Sequence, residues 1–148
     1  GRVDCGFLRL PTRPEFDTIP LGQDRLLAIL PEGHPLESCD KVPIAALCEE
    51  PFMLLEKAAQ AEVSEVFERN GLKPRVHFTT WDDYAIMSMV ENGLGLSILP
   101  GLILTRCPYR IEKRPLDPSA RRELAAVHRE GRLSTAARAF LDCLKSTI

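Results

Sequence analysis

The hydrophobic positions of the chain follow the periods of strands and helices in turn. Short runs of alternating or continuous apolar residues predict strands over residues 2–10, 25–30, 52–55, 76–78, 94–99 and 123–127. Apolar residues spaced three and four positions apart predict helices over residues 58–70, 81–92 and 135–148. This alternation of strand and helix, without an internal repeat, predicts an α/β fold.

Caps and glycines indicate where these helices begin and end. Thr80 is predicted to cap the second helix, with an acidic residue three positions later, and Ser134 is predicted to cap the last helix. Gly93 is predicted to stop the second helix, because glycine readily adopts the left-handed conformation found at helix ends. We interpret Gly95 as a position where two backbones pack closely.

Two segments interrupt the periodic pattern. Residues 11–22 and 108–118 are rich in proline and charge, and we interpret them as linkers. A chain that leaves one lobe, builds a second and returns makes two such connections, with a cleft between the lobes. Clefts of this kind bind small ligands through strand ends, helix N-termini and a few convergent polar groups.

The composition, charge and cysteines of the chain indicate what kind of protein it is. The chain has 148 residues, of which 45% are hydrophobic and 27% charged, as in a soluble globular domain or two small lobes. The net charge of −2 argues against DNA binding by this chain alone, and no apolar run is long enough to span a bilayer. The cysteines form no C-x-x-C pair and the N-terminus is no signal peptide, which predicts a reducing, cytoplasmic location.

No catalytic, metal-binding or cofactor-binding motif stands out in the sequence. The segment Gly93-Leu94-Gly95 follows a helix rather than a strand, which is the reverse of a nucleotide-binding turn. No nucleophile elbow surrounds Ser88 or Ser97, and the three histidines are not at metal-ligand spacing. We therefore predict that the protein is not an enzyme and uses no metal and no cofactor.

The candidate binding residues lie at strand ends and helix starts. Arg9 ends the first strand, where a guanidinium can hold a carboxylate through two hydrogen bonds, with a plain surface role as the alternative. After the strand at 52–55, backbone N–H groups and small side chains are offered by Lys57, Ala58, Ala59 and Gln60. After the next strand, two hydroxyls and an indole are offered by Thr79, Thr80 and Trp81. Thr80 could instead be a simple helix cap, and Trp81 could instead pack its helix against the core.

At these residues the sequence resembles the C-terminal effector-binding domain of LysR-type transcriptional regulators. Residues 1–7 (GRVDCGF) are similar to the family's G-x-[LV]-D-x-G-[FIL] strand. The most specific segment, residues 89–100 (MVENGLGLSILP), is close to M-V-x-x-G-x-G-[IL]-x-x-L-P. The order and spacing of these segments extend the resemblance over nearly the whole chain.

The resemblance implies a type 2 periplasmic-binding-protein-like fold, in which two α/β lobes are joined by two crossover segments and hold a small-molecule effector between them. Residues 1–17 would be a remnant of the first lobe, 18–108 the second lobe, and 109–148 the return to the first. The first lobe would be incomplete, because the segments that open it in the family have no counterpart in this sequence. The candidate binding residues fall where the family lines its cleft.

The resemblance also implies partners. Members form dimers or tetramers and reach promoter DNA through an N-terminal winged helix-turn-helix domain, which this sequence lacks. Arg9 and the helix N-termini favour a small polar or anionic effector. Two alternatives have the same fold: a solute-binding receptor for transport, and an enzyme such as a dehydratase. The sequence shows no secretion signal and no paired cysteines, which weighs against the transport receptor. It also offers no credible pair of catalytic acid and base residues, which weighs against the enzyme.

Overall fold

The structure is a computed structural model that describes residues 3–55, 62–129, 131 and 133–147. Strands and helices alternate along the chain, as predicted. The described residues form seven strands: β1 (Cys5–Arg9), β2 (Asp17–Pro31), β3 (Val42–Pro43), β4 (Pro51–Leu55), β5 (Arg75–Thr80), β6 (Ser97–Pro100) and β7 (Ile111–His128). The α-helices are α1 (Glu62–Arg69), α2 (Asp83–Glu91), α3 (Gly101–Leu104) and α4 (Thr135–Thr147). Two short 3-10 helices cover Pro35–Ser38 and Ile44–Cys48.

The chain divides into two compact units. The first consists of Gly1–Asp24 and Arg122–Ile148, and the second of Arg25–Arg121. β2 enters the second unit after Asp24 and β7 returns to the first at Arg122, so the chain passes between the units twice. The assignment of these units to the two lobes of the resembled fold stays a prediction.

In the second unit, β4 has neighbours on both sides. It pairs in parallel with β5 on one side, and it meets the chain just before β6 on the other. There the Leu96 amide donates to the Pro51 carbonyl, and the Leu96 carbonyl accepts from the Met53 amide, each at 2.8 Å. β6 continues the order by pairing antiparallel with β2, which gives β5, β4, β6 and β2.

The contact between β4 and the start of β6 leaves no space for a side chain at Gly95. A Cβ atom there would lie 2.3 Å from the Pro51 carbonyl oxygen. Beside it, the buried Ser97 hydroxyl donates to the Met53 carbonyl at 2.6 Å, which satisfies both groups without water. The predicted close packing at Gly95 is therefore confirmed.

Two apolar clusters fill the second unit. One surrounds Phe52 and Phe67, whose rings meet edge to face at 5.1 Å, and it fixes the apolar side of α1 against the sheet. The other contains Met53, Ile86 and Leu99 and fixes α2. Apolar residues at helical spacing on one side of α1 and α2 are thus explained by burial.

The first unit has a thinner apolar interior. Among its described residues, the buried apolar side chains are Ala125, Ala126, Val127 and Leu141. Phe7 on β1 and Phe140 on α4 meet edge on at 6.5 Å, yet they remain 61% and 47% exposed. β1 pairs antiparallel with β7, and α4 begins after Ser134, whose hydroxyl accepts from the Ala137 amide at 3.2 Å. The predicted cap at Ser134 is confirmed.

The prediction that Thr80 caps α2 is wrong. Asp82 occupies the N-cap position, and its carboxylate accepts from the amides of Tyr84 at 2.9 Å and Ala85 at 3.4 Å. The Thr80 hydroxyl instead accepts from the Asp82 amide at 3.2 Å. Aspartate prevails because its short side chain reaches the first free amides and its charge complements the helix dipole. The predicted stop at Gly93 is confirmed by its φ of 71°.

The two predicted linkers are partly wrong. β2 already begins at Asp17 and β7 at Ile111, so residues 17–22 and 111–118 belong to strands. Many of these positions are exposed, so polar and proline residues are tolerated there, and they hide the strand period.

Replacing Gly95 with alanine should destabilise the protein by about 3 kcal/mol, because the added methyl group overlaps the Pro51 carbonyl. Gly93→Ala is the matched control, since its Cβ would meet nothing within 4 Å and only the positive φ opposes it. We expect Gly93→Ala to cost about 1 kcal/mol. Urea unfolding measures both, and equal losses would contradict the proposed overlap.

Asp82→Ala should lower the free energy of unfolding by about 1 kcal/mol, because α2 loses the acceptor for two amides. Thr80→Val removes one exposed acceptor and should cost about half as much or less. Thermal unfolding of the two variants distinguishes the two candidate caps. A larger loss from Thr80→Val would show that the cap is assigned to the wrong residue.

Candidate functional site

The parallel strands of the second unit end at a common edge. Leu55 at the end of β4 lies opposite Thr80 at the end of β5. The chain after β4 moves outward to β5, whereas the chain after β5 returns past β4 to β6. In open α/β sheets, the crevice beyond the carboxyl ends of the strands, at such a reversal of strand order, is where ligands bind.

The segment after β4 lies outside the described residues. Four predicted binding residues fall there, and their roles stay predictions: Lys57, Ala58, Ala59 and Gln60.

The segment after β5 presents two hydroxyls and an indole. Thr79 is exposed and Thr80 half-buried, while Trp81 is 79% exposed. The alternative in which Trp81 packs against the core is therefore wrong, because α2 fills its apolar cluster with Ile86 instead. A large indole left in water at the end of a strand is an unusual surface group, and it suits stacking on a ligand.

The N-terminus of α2 is less suited to an anion than the sequence suggested. The Asp82 carboxylate already occupies two of its free amides, at 2.9 and 3.4 Å. Asp83 adds a second acidic group to the first turn. An anionic ligand would be repelled by these carboxylates, so Trp81 and the threonines are the groups that the β5 end offers.

Arg9 ends β1 in the first unit. It lies half-buried opposite Leu124 on β7, and the next amide, that of Leu10, donates to the Glu123 carbonyl at 2.9 Å. The register therefore places Arg9 and Leu124 on one face of the sheet. The predicted strand end at Arg9 is confirmed, while its role in binding stays a prediction.

An ion pair that the sequence reasoning missed lies two residues along β7 from Leu124. Arg122 donates to a single oxygen, Oδ2 of Asp24, through Nη2 at 2.8 Å and Nε at 3.0 Å. The Asp24 side chain is only 4% exposed and that of Arg122 15%. Asp24 and Arg122 are 98 positions apart in the sequence, so no local sequence pattern indicates that they pair.

Three other titratable groups near the strands are His34, His128 and Cys48. His34 Nδ1 accepts from the Leu36 amide at 3.2 Å and caps a 3-10 helix. His128 lies 3.7 Å from Asp17. Burial, followed by the negative charge of Glu49, raises the pKa of the Cys48 thiol, which keeps this thiol protonated at neutral pH and therefore a poor nucleophile.

The described part of the chain offers neither a metal site nor a membrane-spanning helix. No group of three or more histidine, cysteine, aspartate or glutamate side chains within it could hold a metal ion. None of its helices is long and apolar enough to cross a membrane.

Comparison with known proteins gives one consistent family. The family model of the LysR substrate binding domain matches residues 1–148. The probable HTH-type transcriptional regulator LrrA of Synechococcus elongatus is 31% identical over 150 residues, covering 99% of this chain and 50% of LrrA. The chain spans about half the length of the curated relatives it matches.

Solved structures give the same fold. The C-terminal domain of a probable LysR family transcriptional regulator from Rhodococcus sp. RHA1 is 28% identical, with a TM-score of 0.84 over 97% of this chain and 74% of that one. The CcmR regulatory domain of Synechocystis PCC6803, in complex with 2-PG, has a TM-score of 0.87 over 99% of this chain and 74% of that one. At 24% identity, this second structure supports the fold alone.

These matches confirm the predicted architecture, a type 2 periplasmic-binding-protein-like α/β fold. The family consists of transcriptional regulators rather than enzymes, which also agrees with the prediction from the sequence. Because the family model covers the whole chain, the chain belongs to the LysR substrate binding domain family.

Proposed function

We propose that this chain is the effector-sensing domain of a cytoplasmic LysR-type transcriptional regulator and that it binds a small polar or anionic metabolite. The observation that carries the proposal is the exposed indole of Trp81, which follows β5 at the edge where the parallel strands of the second unit end. Stacking of a flat or apolar part of a ligand on this ring would remove the indole from water. Thr79 and Thr80 would supply hydroxyl groups for its polar part.

Arg9 is the proposed partner for the charged part of the effector. It ends β1, is half-buried, and carries a guanidinium that can bind a carboxylate or phosphate through two parallel hydrogen bonds. A half-buried arginine loses less side-chain entropy on binding than a fully solvated one, which favours a specific contact. Lys57, Ala58, Ala59 and Gln60 would line the same ligand from the segment after β4.

The proposed mechanism uses the two crossings of the chain. Residues 1–17 and 109–148 would belong to one lobe and 18–108 to the other, with the effector held between them. A ligand that binds the closed arrangement more tightly than the open one shifts the population towards closure. In a dimer or tetramer, closure would rearrange the subunits and hence the helix-turn-helix domains, through which the longer protein would contact promoter DNA.

The alternative of a solute-binding receptor for transport shares this fold but has no support from the relatives described above, which are transcriptional regulators. The family model that matches the chain is that of a substrate binding domain, which supports a small-molecule ligand for the present chain.

A thermal-shift screen of carboxylated and phosphorylated metabolites should identify a stabilising ligand, because a ligand at one hundred times its Kd stabilises the folded state by about 2.7 kcal/mol. Arg9→Ala should then abolish binding of an anionic ligand in calorimetry. Arg13→Ala is the matched control, since Arg13 is an exposed arginine of the same unit paired with Glu15, and it should bind with unchanged affinity. Unchanged affinity in Arg9→Ala would refute the assigned role.

A further inference from the structure

Cys5 and His128 face each other across two strands of the first unit. Cys5 begins β1 and His128 ends β7, and the antiparallel register makes them direct partners. Residues opposite each other in such a pair point to the same face of the sheet, with Cβ atoms about 5 Å apart. A thiol and an imidazole are therefore neighbours on one face, and rotation about their side-chain bonds brings the sulfur and a ring nitrogen within reach of each other.

A carboxylate approaches the same imidazole from the next strand. β7 lies between β1 and β2 in the sheet, and Asp17 begins β2. Asp17 Oδ2 lies 3.7 Å from His128 Nδ1, so a movement of about 1 Å would make this contact a hydrogen bond. A carboxylate at Nδ1 favours the tautomer with its proton on that nitrogen, which leaves Nε2 able to accept a proton from a thiol.

The His128 side chain is shielded from water, with only 14% of it exposed. Its Nδ1 is buried and has no hydrogen-bond partner among the described residues. Such nitrogens are rare in native structures and call for an explanation. Cys5 is a free, half-buried cysteine, so a small reagent can reach its sulfur. Thiol, imidazole and carboxylate thus follow one another across three strands, which is the arrangement that activates a cysteine nucleophile.

Two other cysteines have surroundings of a different kind. Burial raises the pKa of the Cys48 thiol, which makes it a poor nucleophile. The Cys107 thiol donates to the Tyr109 carbonyl at 3.5 Å. Cys143 lies exposed on α4 and provides the reference for an ordinary thiol in water.

We propose that Cys5 is a reactive thiol at which the chain forms a reversible mixed disulfide with a small disulfide compound. His128 accepts the thiol proton, and the Cys5 thiolate attacks one sulfur of the disulfide. A new S–S bond forms as the old one breaks, and the departing thiolate takes the proton from the imidazolium. Cys5 is thereby oxidised, while the departing half of the small disulfide is reduced to a free thiol. Asp17 is a positioning residue that orients the imidazole.

Reaction of the 148-residue protein with excess bis(2-hydroxyethyl) disulfide at pH 7 tests this proposal, with peptide mass spectrometry following each cysteine. The reagent is uncharged, so variants that change charge do not alter its approach. Cys5 should react at least about tenfold faster than Cys143, although Cys143 is more exposed. His128→Asn should slow Cys5 about tenfold and leave Cys143 unchanged.

Asp17→Asn should slow Cys5 by about threefold, because the imidazole loses the group that orients it. Asp17→Glu keeps the charge and should restore most of the rate, which a merely structural role would not predict. His34→Asn is the matched control, since that side chain is 13% exposed and lies 3.9 Å from Glu50 in the second unit. It should leave the Cys5 rate unchanged.

A Cys5 thiol that reacts no faster than Cys143 would overturn the proposal. An unchanged or higher rate in folded His128→Asn would also overturn it, because the imidazole would then merely cover the thiol. If His128→Asn does not fold, the loss in Asp17→Asn and the recovery in Asp17→Glu decide the same point. The experiment contains no effector, so failure to find a ligand would sink the proposed function and leave this test intact.

Discussion

The backbone of β4 approaches that of residues 95–97 so closely at Pro51 that no side chain fits between them. This contact gives β4 a neighbour on its second side, since β5 already pairs with it in parallel on the first. The strand order reverses there, and a reversal of this kind opens a crevice at the carboxyl ends of the strands. Trp81 and the threonines reach that edge because β5 pairs in parallel with β4, with Thr80 opposite Leu55.

The two units differ in what stabilises them. The second contains both large apolar clusters, and burial of residues such as Phe52 and Phe67 supplies most of its stability. The first leaves Phe7 and Phe140 partly in water and relies on the pairing of β1 with β7 and on a buried ion pair.

Features fixed by local chemistry could be predicted from the sequence. Gly93 ends a helix and Gly95 permits a close approach because of glycine's own properties, and Ser134 caps α4 from its position before an apolar stripe. The strand parts of the segments 11–22 and 108–118 were missed, because exposed polar residues and prolines hide the period of long strands. Asp24–Arg122 could not be predicted at all, since only the folded sheet brings these residues together.

Binding of a small molecule at the carboxyl end of β5 can be followed directly, because Trp81 is the only tryptophan of the chain. The measurement is the fluorescence emission of the protein during titration with a ligand that raises its Tm. A bound ligand that covers the indole, now 79% exposed, should shift the emission to shorter wavelength in a saturable way. A ligand that stabilises the protein while the emission of Trp81 stays unchanged would show that the effector does not bind at the end of β5.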